Sequence, residues 1–356
     1  MGRSPVLLLP PFCYDRGMRT LLSPPTALLD PATRAPSFGS YGGDLPRVDL
    51  APLPSGRIAS FFHRKRWVFI GVASGELFIA CTIVHLGYLA NAFFFAFDRA
   101  AGRMLVDRSL LTLPILASVD DNLGQGGGAS FEAPLARTRI RLTSPAEATA
   151  MTLSIRTPDV TIRARLGASS APPAIGAVAK LPGPPEGLVQ VTQKRALLAV
   201  TGEATFNGAT RALDGGLGGT DASSGYLPRR TAWRWAFALG RAKTGERVGL
   251  NLVEGFVGEA ECALWIDGAI VPLAEGRFSF DAPRSLEPWS VRTADGRVDL
   301  RFTPGAMHAE DRDLGFIASD YVQPVGSFSG TIQVEGRPPL ELEQVLGVVE
   351  DQRVVW

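Results

Sequence analysis

Apolar and polar residues alternate at period two in three neighbouring stretches, ARTRIRLTS (136–144), MTLSIRTPD (151–159) and VTIRARLG (160–167). Successive side chains of a strand point to opposite faces, so this alternation predicts strands with one buried and one wetted face. Nearer the N-terminus the pattern thickens. Residues 67–73, 77–84 and 90–98 are almost continuously apolar, broken at Ser74-Gly75 and Leu86-Gly87 and closed by a turn at Ala101-Gly102. Turn signals about every ten residues predict an antiparallel meander. The second half reads the same way, through LVQVTQK, ALLAVTGEATFNG, TAWRWAFALG, RVGLNLVEGF and ALWIDG to GSFSGTIQVEG. Asp267-Gly268 and Asp295-Gly296, set between apolar alternating runs, predict hairpins because glycine accepts positive φ. No amphipathic helix longer than three turns is visible. The expectation is an all-β chain.

One stretch competes with that reading. Leu77 to Phe97 (LFIACTIVHLGYLANAFFFAF) carries no Asp, Glu, Lys or Arg, and it approaches the ~20 residues that span a bilayer. Its β-branched and aromatic content, the interruptions at His85 and Asn91 and the glycine breaks favour strands, so a membrane span is not expected.

Residues 1–56, rich in Pro, Gly and Ser, predict an extended arm. The Pro/Gly-rich segment 168–187 is the best boundary between two units, 57–185 and 186–356. A weak echo supports the pairing: Lys65-Arg66-Trp67 opens the first unit, and Arg229-Arg230 with Trp233-Arg234-Trp235 opens the second. Each start leads through a strand and a glycine turn (Gly75; Gly245) to another apolar strand. Two closed or nearly closed antiparallel barrels follow, since closure removes exposed sheet edges.

Composition narrows the function. Lys and Arg number 36 against 35 Asp and Glu, and this balance argues against nucleic acid as a partner. With 46% hydrophobic residues there is ample core material. Cys13, Cys81 and Cys262 are far apart, with no CxxC pair, which suggests reduced thiols rather than a disulfide framework or thiolate zinc site. MGRSPVLLLPPF has too short an apolar run for a signal peptide, so the cytoplasm is the default expectation. The sequence contains no P-loop, GxSxG, HExxH or EF-hand pattern. Gly124-x-Gly126-x-x-Ala129 has no βαβ context and reads as a loop. Three histidines, His63, His85 and His308, lack metal-ligand spacing. Neither a metal nor a cofactor is expected.

From Val200 to Phe328 a series of motifs runs in order. VTGEATFNGATRALDGG comes first, followed by Asp221 with Gly225-Tyr226-Leu227-Pro228-Arg229-Arg230-Thr231 and Trp233-Arg234-Trp235. VGLNLVEGF, Glu261-Cys262-Ala263-Leu264-Trp265-Ile266-Asp267-Gly268, Trp289, Phe302-x-Pro304 and Gln323-Pro324-Val325-Gly326 complete it. With KRWVF (65–69) and GYLANAFFFAFD (87–98), this series resembles the bacterial domain-of-unknown-function family 2804. The chain departs from that family's usual Glu-Asn at Glu261-Cys262, and in the Gly-rich 215–220 segment. More remotely it is similar to the tandem-lipocalin superfamily that includes hydroxyneurosporene synthase, a carotenoid hydratase, and fungal cyclases. The resemblance implies two lipocalin-like barrels in tandem with an elongated apolar ligand inside or between them. Asp221 falls where the hydratase pattern has Asp-His, but Ala222 follows it here.

An apolar pocket needs apolar walls and a few placed polar groups. Alternation puts Trp233, Trp235 and Phe237 on one strand face and Arg234 on the other; Phe93, Phe95 and Trp265 are further wall candidates, against the alternative of ordinary core packing. Polar candidates are Asp221, Tyr226, Arg230, Asn251, Glu254, Glu261, Tyr321 and Gln323. A carboxylate held against aromatic walls has a raised pKa and can protonate an alkene or ether oxygen. Asp221 and Glu261 are the acid–base candidates and Arg230 the counter-charge, with a structural Arg230–Glu261 ion pair as the alternative. Three functions stay open: a carrier of an isoprenoid, fatty-acid or polyketide-like molecule; a cofactor-independent hydratase, cyclase or isomerase; and a packed structural protein. A cavity on the order of several hundred Å³ would exclude the last.

Overall fold

The computed structural model of the chain describes residues 19–53, 61–122, 127–144, 149–183, 188–313, 315 and 317–356. The segment MGRSPVLLLPPF, Cys13 and Gly124 to Gly126 lie outside the described residues. Strand makes up 64% of the structure and helix 5%, in two curled antiparallel sheets, one a nearly closed barrel and the other a half-barrel. These are two lipocalin-like units in tandem. The meander lies where the glycine breaks placed it, as strands Arg64–Ser74, Leu77–His85 and Ala90–Asp98. The charge-free stretch is therefore β-structure, and no helix among the described residues is long and apolar enough to cross a membrane. Asp267 (φ 49°) and Gly296 (φ 76°) make the turns of the two expected hairpins.

The change of sheet comes later than the predicted 185/186 boundary. Strands Ile175–Lys180, Val189–Phe206 and Gly216–Tyr226 all belong to the first sheet. Gly216–Tyr226 pairs with Arg64–Ser74 along its whole length and with Val189–Phe206 on its other side. The Gly-rich 215–220 segment is thus largely the start of a central strand. The second sheet begins at Arg230 and runs to Val355. Local periodicity reveals a strand but not its partner, and this partner lies far back in the chain.

The arm is built in rather than draped over the surface. Its Gly39–Gly42 strand pairs with Ile175–Lys180, and Leu28, Tyr41, Leu45 and Leu50 are buried against Val189, Val191 and Trp356. Arg19 Nη2 donates to the Cys262 carbonyl (3.2 Å) and Ser40 Oγ to the Ala260 carbonyl (2.8 Å), tying the arm to the second sheet.

The sheets share a core. Phe69, Phe93 and Phe95 of the first sheet are buried in one cluster with Trp235, Phe237 and Val348 of the second. Gly71 and Gly219 are register partners, and their missing side chains leave a notch for the Phe237 ring. A Cβ on Gly219 would sit 2.5 Å from that ring, and one on Gly71 2.9 Å from it. Close approach, not turn geometry, requires these two glycines. Truncating a fully buried phenylalanine costs about 3–5 kcal/mol. Phe237→Ala is therefore expected to lower stability by that amount in denaturant unfolding, with a single calorimetric transition still covering both sheets. Two resolved transitions, only one of them shifted, would mean that the barrels do not depend on one another.

Candidate functional site

Away from the Phe237 notch the two sheets diverge and leave a cavity of about 160 Å³. Its apolar wall comes from both sides. Trp67 stacks on Trp233 with rings 4° from parallel and centroids 6.2 Å apart, and Phe256 leans on both. These tryptophans belong to the two basic-aromatic strand starts that echo one another in the sequence. Phe69 meets Trp235 edge-on at 4.9 Å. Phe256 holds a left-handed backbone (φ 56°), a strained conformation for a non-glycine residue, and so enters the wall from a turn. Leu111, 43% exposed, marks the rim with the half-buried Ile317 and Arg312.

The volume is close to the ~150 Å³ of an apolar void that admits benzene. It is smaller than the several hundred Å³ expected for an elongated ligand. A ring-sized portion of a molecule fits inside, and any longer chain must extend past the rim.

Three carboxylate centres interrupt this wall. In the first, the buried Lys194 ammonium bridges Asp221 Oδ2 (2.5 Å) and Glu261 Oε2 (3.0 Å). Lys194 and Asp221 are register partners on adjacent strands, and the short helical turn Gly258–Glu261 brings Glu261 over them. Burial pushes Glu261 above the usual carboxylate range, and Lys194 opposes the shift without cancelling it. Burial works against the lysine charge, but the two carboxylates outweigh it and hold Lys194 above its ordinary value. Ser223 Oγ donates to Thr192 Oγ1 (2.9 Å) beside Asp221. Asn251 fixes the edge of this cluster: its amide donates to the Glu261 carbonyl (2.8 Å) and its oxygen accepts from Trp235 Nε1 (2.7 Å).

The second centre is Glu350, on strand Leu340–Val355. Trp233 Nε1 donates to its Oε1 (2.6 Å), while Tyr321 OH and Gln323 Nε2 each donate to its Oε2 (2.9 Å). Burial raises its pKa to about 7 in spite of these three donors, with the Asp221 charge adding to the rise. Three hydrogen bonds keep the carboxylate oriented, and its proton affinity is poised near neutrality.

The third centre is at the rim. Glu310 receives Asn91 Nδ2 on Oε2 (3.1 Å) and Ser109 Oγ on Oε1, with Arg312 Nη2 3.4 Å away. His308 Nδ1 meets Asp107 Oδ1 at 2.6 Å, and Phe93 stacks on the imidazole. Burial works against the imidazolium, but Asp107 and Glu310 raise the His308 pKa to about 9. Burial raises the Glu310 pKa less than its partners lower it, so this carboxylate stays ionised.

Of the residues singled out in the sequence, Asp221, Glu261, Trp233, Trp235 and Tyr321 line the cavity. Asn251 and Gln323 lie directly behind, each bonded to a lining residue. Phe93 is in the wall; Phe95 and Phe237 are not. Four others are elsewhere. Arg230 is exposed at its strand start, and Lys194 takes the counter-charge role expected of it. Glu254 pairs with Arg234 (2.9 Å) on the opposite strand face. Trp265 is fully buried in the core, its Nε1 on the Pro173 carbonyl (2.9 Å). Tyr226 packs in the arm-side cluster with Arg64 over its ring.

Lys194 and Glu350 were not recognised as site residues in the sequence. Both sit in polar runs, VTQKR and VEDQR, that resemble solvated strand ends. The available signal was period two: Val348, Glu350, Gln352 and Val354 share a face, the first of them deep in the core. Cys81 and Cys262 are buried free thiols. Among the described residues no cluster of three or more His, Cys, Asp or Glu side chains is arranged to hold a metal ion.

Comparison with curated protein sequences finds no match. Among solved structures, the fold is similar to CghA with Sch210972 (TM-score 0.51, 15% identity, 88% of this chain and 94% of that one). It is also similar to kievitone hydratase from Nectria haematococca (TM-score 0.51, 13% identity, 90% and 98%). At such identities the likeness is one of fold, and it spans both barrels. Residues 20–356 match the family described as Domain of unknown function (DUF2804), so nearly the entire chain, arm included, belongs to that family.

Proposed function

We propose that the protein is a cofactor-independent acid–base enzyme that adds water to, removes it from, or isomerises an unsaturated lipophilic molecule whose reactive portion enters the inter-barrel cavity. The observation that carries this reading is Glu350: a cavity-lining carboxylate with three donors and a pKa of about 7. An acid poised near the working pH is the most effective proton donor and acceptor. A carrier has no need to bury three carboxylate centres around an apolar guest, because each costs desolvation free energy. The likeness to a protein named as a hydratase agrees with the reading, although the site itself supports it better.

In the hydration direction, protonated Glu350 donates its proton to one alkene carbon. The faces of Trp67 and Trp233 stabilise the cation left on the other carbon. Water held at the Lys194–Asp221–Glu261 cluster attacks that carbon and gives up a proton to Glu261, whose raised affinity suits it as base. The product has gained one water, and the two carboxyl groups regain their starting states by proton exchange with solvent at the rim. Without a water in reach, loss of a different proton completes an isomerisation or ring closure.

The ligand is to be recovered by native mass spectrometry and solvent extraction of protein from its own host, then incubated with enzyme in deuterated, ¹⁸O-enriched water. Label is expected to enter the ligand with wild-type protein, and Glu350→Gln is expected to slow its entry by about 10²–10⁴-fold while still retaining ligand. Ligand returned unlabelled by wild-type protein would reduce the function to carriage. Lys194→Met strands two buried carboxylates, which costs about 3–5 kcal/mol. The folded variant then holds protons that the unfolded chain releases, so its stability is expected to fall as pH rises from about 5 to 8. An equal loss in unfolding free energy at both pH values would contradict the assigned charges.

A further inference from the structure

The apolar wall of the cavity continues outward over one end of the molecule. Leu86, Leu89 and Leu111 line the mouth. Ala90 and Thr112 are register partners, so Leu89 and Leu113 stand together just outside their strands at that end. Thr112 Oγ1 donates to the Glu132 carbonyl (2.8 Å), and the short turn Pro114–Leu116 lies against strand Gly128–Ala133. That strand runs directly into the turn Pro134–Ala136. Next to Leu89, the Phe61 and Phe62 rings rest on Tyr88 with centroids 5.9 and 6.3 Å away. Ile317 and Trp356 reach the same mouth from the second barrel, each one residue outside the Ala318–Val355 register pair.

Of the nine large apolar side chains exposed among the described residues, six stand at this end: Phe61, Phe62, Leu111, Leu113, Ile115 and Leu135. Ile115 is 85% exposed and Leu135 wholly so. Apolar residues scattered singly over a surface need no explanation, but a cluster around the opening of an apolar cavity marks a contact surface. These six stand on three separate segments, 61–62, 111–115 and 135, which suits a fluid apolar layer better than a shaped protein seat. The exposed Arg137, two residues past Leu135, is placed to keep its charge among polar headgroups while its stem stays with the apolar turn. Asp311 and Asp313 are exposed on the strand beside Ser109, so attraction to a bilayer comes from the apolar side chains rather than from a basic field. The cavity admits a ring-sized part of a guest, and the rest of a longer lipophile lies across this same face. Resting on the ligand-binding reading above, we infer that this end of the molecule docks on a lipid bilayer. Ile115 and Leu135 enter its apolar layer, and the ligand passes between bilayer and cavity without crossing water.

The full chain is to be floated with phosphatidylcholine vesicles in the absence of ligand, and its bound fraction measured. Wild-type protein is expected to float with the vesicles equally well at about 0.1 M and about 0.5 M salt. Ile115→Ser combined with Leu135→Ser is expected to weaken the partition by at least about tenfold, because two large apolar side chains leave the layer. Both positions are exposed, so the thermal unfolding of the double variant is expected to match wild type. Leu286→Ser, exposed on the second barrel, is expected to float as wild type does. Protein that stays in the buffer, or that floats equally in the double variant, would overturn the inference. Flotation confined to anionic vesicles and lost at the higher salt would overturn it too, since charge and not apolar contact would then hold the protein. A dimer in sedimentation velocity that the double variant abolishes, with no vesicle binding, would give this face to a second copy of the chain. Each of these failures removes the docking face and leaves the labelling test of the proposed function standing. Unlabelled ligand from a protein that floats removes only the enzyme.

Discussion

A carboxylate cannot be taken out of water cheaply, and Glu350 is taken out of water with nothing but neutral donors in direct contact. Trp233, Tyr321 and Gln323 fill its oxygens from two strands flanking its own. All three are fixed by the second sheet, and Trp233 is fixed again by stacking on Trp67 of the first. The site therefore exists only where the two barrels meet. If they separate, Glu350 loses its aromatic cover and the cavity loses a wall.

The packing beside it explains why the cavity stays open. Phe237 seats in the Gly71–Gly219 notch and brings the sheets close at one place. The large rings of Trp67, Trp233, Trp235 and Phe256 then hold them apart a few residues further on. Protein interiors are otherwise close-packed, and a gap of this size persists only when rigid groups on both sides cannot collapse into it. Asn251 ties the aromatic wall to the Lys194 cluster: it holds Trp235 through one end of its amide and the Glu261 turn through the other.

Much of this was legible in the chain. The strands at 64–98 were visible because glycine breaks punctuate an apolar run, and the Trp233/Trp235 face because a period of two allows no other assignment. Glu261 stands out as an acid next to the apolar run CALWI, and Asp221 through the resemblance to the hydratase pattern. What escaped were properties set by long-range pairing. Strand Gly216–Tyr226 falls inside the second unit when the boundary is read at 185/186, yet its partner is Arg64–Ser74. Arg230 looked like the natural cation for Glu261, whereas the register with Asp221 gives that place to Lys194. Glu350 was hidden among Asp351, Gln352 and Arg353, and only the closing of the barrel turns its side of that polar run inward. A polar residue on a buried face is invisible to composition and visible to alternation counted from a confirmed core position.

The account turns on Glu350 holding a proton at near-neutral pH inside an apolar wall. Difference infrared spectroscopy of wild-type protein against Glu350→Gln isolates the carbonyl band of this one carboxyl group across a pH series. The expected result is a protonated band at acid pH that is half lost near pH 7, the value set by its burial. A band already absent at about pH 5, where ordinary carboxyl groups are ionised, would show a solvated or ion-paired carboxylate and contradict the account.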